Sequence, residues 1–534
     1  MFSELAHKMK GKGAAGVSSQ MSSLRGVLLL TTTGIFSQII GFIYRIFLTH
    51  LIGAEYLGLY QLLMPIYSVL LSLTSVGLTT AVSNLSARYL ALGNTRAVYQ
   101  IRCQALRLFF LLAILPAALM LAFSDAASVY LLGDARTQLG LLLLIPCLFL
   151  TGIENQQKYY FYGVGIIMPA AITELLEQLI RSGAALGFLL LFLPQGGEKT
   201  VGLIVCGMIV CEIFSSTTQT WLFHRYLPIN SLVGEAPSPK VLRHQILAIS
   251  IPMGATALLG NLIGSANSIL IPRLLILGGM KPSAAMASFG VMFGMTLPML
   301  MLPTAFLSAL SLILVPRLSE CAALGRKEEI RRRIRRTVAA ANLILIPALS
   351  LLAVLGPELG NSLYRQPNVG YQMPALALGV LFACWQTLMS SALTGLNLQS
   401  TAAAIALFTD GIQLAITCLT VGNPKIGMLG YVWGFVLTAG LGAWLCWKRI
   451  SRETSLRLPV YQWFAAPCLA ALLGASCARL LNTICLNGCL SPLVSGTLAL
   501  LFGLVLYASA LQAQGVSLWK ILKEKDLASS CRNG

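Results

Sequence analysis

Apolar residues run through this chain in unbroken blocks of roughly twenty, separated by short polar segments, rather than in the single stripe of a soluble helix. A block of that length spans about 30 Å as a helix, the thickness of a bilayer's hydrocarbon core. Fourteen such blocks cover residues 27–48, 59–82, 106–123, 139–152, 166–193, 201–223, 246–277, 289–315, 338–355, 374–393, 401–421, 428–447, 463–481 and 492–511. The expected fold class is an all-α polytopic membrane protein of about fourteen transmembrane helices. Pro65, Pro116, Pro146, Pro169, Pro252, Pro298, Pro303 and Pro347 lie inside the blocks. Each removes a backbone hydrogen bond and can kink its helix, although proline is also commoner in membrane helices generally.

Composition narrows the class. Of 534 residues, 57% are hydrophobic and 10% charged, against roughly a quarter charged in a soluble domain. A soluble enzyme and a disordered chain are both excluded. The 37 Lys and Arg exceed the 18 Asp and Glu by 19, an imbalance that suits either a nucleic-acid partner or a topology signal. Position decides. With the N-terminus cytoplasmic, and residues near a span's end counted with the adjoining loop, 28 of the 37 fall inside, 7 outside and 2, Arg45 and Arg181, within spans. A missed span would invert every later loop, so the excess is an orientation signal and nucleic acid is not expected. Both termini are expected on the cytoplasmic side of the membrane. The segment holding Lys8, Lys10 and Lys12 lacks the short apolar core and small-residue site of a cleaved leader, so an uncleaved first span is expected.

A self-comparison finds Leu85-Ser86 and Leu92-Gly93 again as Leu318-Ser319 and Leu324-Gly325, about 232 residues on. Basic residues follow both copies. Arg45 precedes Gly53, and Arg273 precedes Gly278 and Gly279, late in the first and seventh spans. Six spans separate the copies, and an even number leaves both halves in one orientation, a transporter signature. The expected organisation is a basic cytoplasmic N-terminus (1–25), a six-span lobe (26–225), a cytoplasmic linker (226–245), a second six-span lobe (246–448), two further spans (449–512) and a basic tail (513–534).

Charges at membrane depth cost roughly 2.5–3.5 kcal/mol each on insertion scales and call for a partner, water or a purpose. The densest group is on the fifth span, where Glu174, Glu177 and Arg181 share one face with Gln178 beside them. An internal salt bridge is one reading; a polar face on a wet cavity is the other, because one arginine leaves a carboxylate over. Arg45 and Arg273 either snorkel to the interface or flank a common cavity and offer paired forks to a phosphate. Glu212 and Asp410 read as isolated structural polars. The run from Arg326 to Arg336 is an orientation signal or a patch for anionic membrane lipids.

Other chemistry finds no motif. There is no phosphate loop, HExxH or GxSxG, and no Cys/His spacing for zinc. No cofactor, metal or enzymatic activity is expected. Of 13 cysteines, most lie inside apolar spans as small hydrophobes, while Cys485 and Cys489 share an outer turn where they could pair.

The stretch Gly41–Leu85, with Arg45, Gly53, Gly58 and Tyr60, and the stretch Glu174–Gly183, with Glu177, Gln178 and Arg181, resemble the polysaccharide-exporter branch of the multidrug/oligosaccharidyl-lipid/polysaccharide flippase superfamily. The likeness is strongest to the stage V sporulation protein B group and its MurJ-like relatives, and continues through Pro272–Met280, Ser311–Glu320 and Phe382–Asn397. It implies two six-helix lobes in parallel pseudo-repeat around a cavity, plus two C-terminal helices, alternating between inward-open and outward-open forms. It further implies an undecaprenyl-diphosphate-linked saccharide as substrate, with Arg45 and Arg273 where the diphosphate-binding arginines are expected. Asn267 stands where relatives often carry an acid, and Arg88 replaces another. The rival readings are a small-molecule drug or cation antiporter of the same superfamily and a non-transporting scaffold for cell-wall assembly.

The charge sorting makes a direct prediction. In a cysteine-depleted background, a cysteine at Lys425 should react with membrane-impermeant maleimide on intact cells, and one at Arg326 only after permeabilisation; the reverse pattern would invert the topology.

Overall fold

The computed structural model describes residues 18–192, 196–228, 232–235, 237–366, 369–455, 461–487 and 491–514. Among these, every regular element is helical. Fourteen helices are long and apolar enough to cross a membrane: α1 (Leu29–Ala91), α2 (Thr95–Leu132), α3 (Ala135–Gly163), α4 (Ile167–Phe192), α5 (Gly197–Tyr226), α6 (Pro239–Leu277), α7 (Pro282–Thr304), α8 (Phe306–Ala323), α9 (Lys327–Gly360), α10 (Met373–Gly395), α11 (Gln399–Thr420), α12 (Met428–Thr454), α13 (Trp463–Asn487) and α14 (Pro492–Ala513).

The count agrees with the expectation, but the partition does not. Helix α1 holds the first two expected spans, broken at Gly53, whose backbone (φ 76°, ψ 177°) is one that residues with a Cβ avoid. The eighth span is divided into α7 and α8 by a 3₁₀ turn at Leu302–Thr304. At the repeat offset of 232 that turn ends where the π-helical turn at Ser72–Val76 of α1 begins. Most prolines are carried inside continuous helix. The non-helical backbone angles inside helices are at Gly53 and Phe123.

The repeat is geometric as well as textual. Gly93 and Gly325, at equivalent helix ends, have φ of 71° and 67°. Where α1 crosses α7, a Cβ on Gly58 would lie 2.2 Å from the Met286 carbonyl oxygen, and one on Gly290 would lie 2.1 Å from that of Ala54. Both pairs of equivalent residues, Gly58 with Gly290 and Ala54 with Met286, are 232 apart in sequence. The contact is therefore reciprocal about a pseudo-two-fold axis, and only glycine lets the two backbones approach so closely.

Helices α2–α5 pack with α1, while α8 and α9–α12 form the other lobe. Helices α13 and α14 pair with each other and dock on α9. The Asn342 amide fastens this appendage, accepting from Trp385 Nε1 (2.6 Å) and donating to the Trp463 carbonyl (2.9 Å). The lobes are not cleanly parted at residue 246. Leu242 and Ile246 at the start of α6 are buried in the first lobe's core with Phe109, Phe161 and Phe223, and Arg243 Nε donates to Gln104 Oε1 at 2.8 Å.

The basic run at the start of α9 is partly self-paired: Arg331 donates to Glu328 and Arg333 to Glu329, one turn apart. Cys485 carries a free thiol; Cys489, its expected partner, lies outside the described residues.

The reciprocal crossing predicts the effect of filling it. Gly58→Leu should hold α1 and α7 apart and raise the maleimide labelling rate of a cysteine at Gln61 several-fold. An unchanged rate would mean that the crossing does not form in the membrane.

Candidate substrate cavity and the charges behind it

A cavity of about 840 Å³ lies between the lobes, toward the upper end of the roughly 300–1,000 Å³ range of ligand sites. Helices α1 and α4 wall one side; α7, α8 and α10 wall the other. Among the described residues its charged lining comes wholly from the first lobe: Arg45 of α1, with Glu174 and Arg181 of α4. The second lobe contributes apolar and neutral groups such as Phe293, Met301, Ser308 and Thr387.

Of the residues singled out from sequence, Arg45, Glu174 and Arg181 are brought to this cavity together. Glu177 lies behind Arg181, buried and ion-paired to it. Asn267 lines no part of the cavity; it is half-buried on α6 with its side-chain oxygen unpaired. Arg273 is also elsewhere. It donates through Nη2 to the carbonyl of Tyr130 at the end of α2, and its side chain covers Gly133.

The two arginines are not equivalent in the repeat: at the offset of 232 that relates Gly58 to Gly290, the position matching Arg45 is Leu277, and Arg273 lies one helical turn before it, against the end of α2. The expected symmetric fork is not assembled in this conformation.

The fifth-span trio divides between two bases. Arg181 pairs with Glu177, and its Nη2 lies 3.4 Å from Glu212 Oε1 on α5. Glu174 instead meets Lys158 of α3 at 3.3 Å, and Lys158 also lies 3.8 Å from Glu154. Each base thus serves two carboxylates. Glu154 and Glu212 are 3% exposed, Glu177 7%.

Sequence reasoning missed part of this cluster. Ending the fourth span at Gly152 left Glu154 and Lys158 in a loop, whereas α3 continues to Gly163 and stops before Gly165, which has a positive φ. The spacing of four between Glu154 and Lys158 was the available signal. Glu212, taken as isolated, is tied to Arg181. Arg102, counted as a loop charge, is buried, donating to Gln157 (2.9 Å) beneath the ring of Phe223 (4.4 Å). Asp410 is exposed on α11.

The ligand-type atoms of Glu177, Cys211 and Glu212 lie within 4.8 Å of one another. The Arg181 guanidinium reaches all three, including Cys211 Sγ at 3.4 Å, so the position a cation would take is already held.

A family model described as polysaccharide biosynthesis protein matches residues 23–321. Stage V sporulation protein B of Bacillus subtilis (strain 168) is 24% identical over 433 residues, 80% of this chain and 83% of that protein. Among solved structures, the lipid II flippase MurJ in an inward closed conformation matches with a TM-score of 0.66 at 12% identity, covering 93% of this chain and 99% of that one. An inward-facing multidrug resistance MATE family transporter of the MOP superfamily matches with a TM-score of 0.64 at 15% identity, over 80% and 99%.

Removing one partner of a buried ion pair costs about 3–5 kcal/mol. Arg181→Ala should therefore lower the melting temperature in detergent markedly, and the added substitutions Glu177→Gln and Glu212→Gln should recover part of the loss. If the triple variant melts no higher than the single, Arg181 is not the counter-ion of these carboxylates.

Proposed function

The chain belongs to the polysaccharide biosynthesis protein family, within the MOP flippase superfamily, and from that premise we propose that it flips an undecaprenyl-diphosphate-linked oligosaccharide or peptidoglycan precursor. The direction is from the inner to the outer leaflet of a bacterial cytoplasmic membrane, with both termini cytoplasmic, and the use is in spore-cortex, cell-wall or polysaccharide synthesis. The observation that carries this reading is that Arg45 and Arg181 line one cavity between two repeat-related lobes. A guanidinium presents a planar fork that matches phosphate oxygens. Arg181 is already shared by Glu177 and Glu212, but Arg45 has no carboxylate partner among the described residues, and its fork on the cavity wall suits a diphosphate better than a cationic drug.

In this assignment Arg45 takes the diphosphate with Arg181 beside it, Glu174 sets the polar edge, and Glu177 holds Arg181 in place. Arg273 and Asn267 belong to the conformational change. Arg273 must leave the Tyr130 carbonyl for the α2 end and α6 to separate, and Asn267 lies on the helix that moves with it. No catalytic step is required, since the cargo crosses unchanged. The driving force is an ion gradient, the membrane potential or consumption of the cargo on the far side.

The test is complementation. A host depleted of its own lipid II flippase should grow when this chain is expressed, and Arg45→Ala should cut the rescue at least tenfold, in line with about 1.5–3 kcal/mol for a charged hydrogen bond. No rescue by a well-expressed wild type would remove lipid II as cargo. Rescue untouched by Arg45→Ala would overturn the diphosphate grip.

A further inference from the structure

We propose that binding of an anion in the cavity is linked to uptake of a proton by the buried carboxylates of α3–α5, with Arg181 as the counter-ion that both compete for. The inference rests on the reading that the cavity takes a diphosphate, and adds how that event is coupled to the aqueous phase.

The first support is position. Arg181 lines the cavity with its side chain 24% exposed, and on its inner side it contacts Glu177 and Glu212. One guanidinium thus stands between an anion site and two carboxylates. The second is charge count. Glu154, Glu174, Glu177 and Glu212 are answered by Lys158 and Arg181, so the cluster is already two positive charges short. Glu174 has water at the cavity edge, its side chain 40% exposed, while the other three carboxylates do not. The third is an unanswered atom. Glu212 Oε2 has no hydrogen-bond partner, although the residue is 97% buried.

The groups facing Glu212 come from every helix packed round it. Tyr67 and Thr151 come from α1 and α3, and Glu154 approaches it from α3 with Ser215 nearby. Glu177 and Arg181 come from α4, and Cys211 precedes it on α5. Lys158 is engaged by Glu154 and Glu174. Two carboxylates facing each other in a dry site stay ionised together only while cations share the site, here Arg181 and Lys158. When a diphosphate draws the guanidinium outward, the carboxylates lose half their positive charge. A proton from the aqueous phase then forms an O–H bond on a Glu212 or Glu154 oxygen, and the cluster's net charge is restored. Nothing is oxidised or reduced.

Linkage fixes the sign: anion affinity rises as pH falls, by up to tenfold per pH unit for one proton taken up. The experiment uses the full chain in nanodiscs and farnesyl-diphospho-N-acetylglucosamine, a diphosphate diester that does not titrate near neutrality. Calorimetry in two buffers of different ionisation enthalpy counts protons, and a sodium titration at fixed pH runs alongside. The expected result is uptake of a substantial fraction of one proton per ligand in wild type. Glu212→Gln and, separately, Glu154→Gln should greatly reduce it while binding persists with a flattened pH profile. Binding without proton exchange, or exchange unchanged in both variants, overturns the linkage alone. Affinity that follows sodium instead of pH overturns the proton as the coupled ion. No binding by a folded wild type overturns the anion site itself, and the linkage with it.

Discussion

Hydrocarbon offers no partner to a polar group, so each one carried into the membrane has to be answered by the protein. The first lobe obeys this by sharing. Arg181 answers Glu177 and Glu212, and Lys158 answers Glu154 and Glu174, drawing α3, α4 and α5 together through their side chains. Arg102 is answered differently, by an amide and the face of an aromatic ring. In the second lobe neutral amides also meet this requirement. Gln413 reaches the Tyr431 carbonyl and the Thr438 hydroxyl, and Asn342 joins α9, α10 and α13. The two lobes share a backbone plan and differ in what fills it.

That shared plan is held at one small contact. Gly58 and Gly290 sit where α1 and α7 cross, each lying against a carbonyl oxygen of the opposite helix. Helix association in a membrane relies on close packing rather than on apolar burial, so a crossing built from two glycines is both tight and cheap to separate. Leu242 and Ile246 show the complementary arrangement at the other end of the bundle, where the start of α6 is inserted in the first lobe's core. One contact between lobes is a sliding surface of backbone, the other a plug of side chains.

The number of spans was legible because block length is a property of the bilayer and needs no tertiary knowledge. The repeat was legible for a related reason: Gly93 and Gly325 are required by the same left-handed helix end in both halves. What could not be read was the packing around each side chain. Arg45 faces the cavity, while Arg273, one turn short of the position that the repeat makes equivalent, lies against the end of α2. Pairing across helices was hidden for the same reason. Glu212 looks solitary in a row of apolar neighbours, and only the packing of α5 against α4 brings Arg181 to it. Glu154 and Lys158 were lost to a boundary, because a span that dips into polar residues before Gly163 reads as a loop.

The asymmetry between lobes bears on how a pseudo-symmetric carrier can act in one direction. If both lobes carried the same charges, an anion in the cavity would be held equally from either side, and no element would report its arrival. Among the described residues every charge on the cavity wall belongs to α1 and α4, while the facing surface from α7, α8 and α10 is neutral. In the proposed function an anion is thus held by one lobe, and the other can rotate over it without breaking an ion pair. Arg273 fits this division. It belongs to the second lobe, but its hydrogen bond is to a backbone carbonyl of the first, at the end of α2. Such a bond costs little to exchange for water when the lobes part, whereas a salt bridge across the same gap would hold them shut.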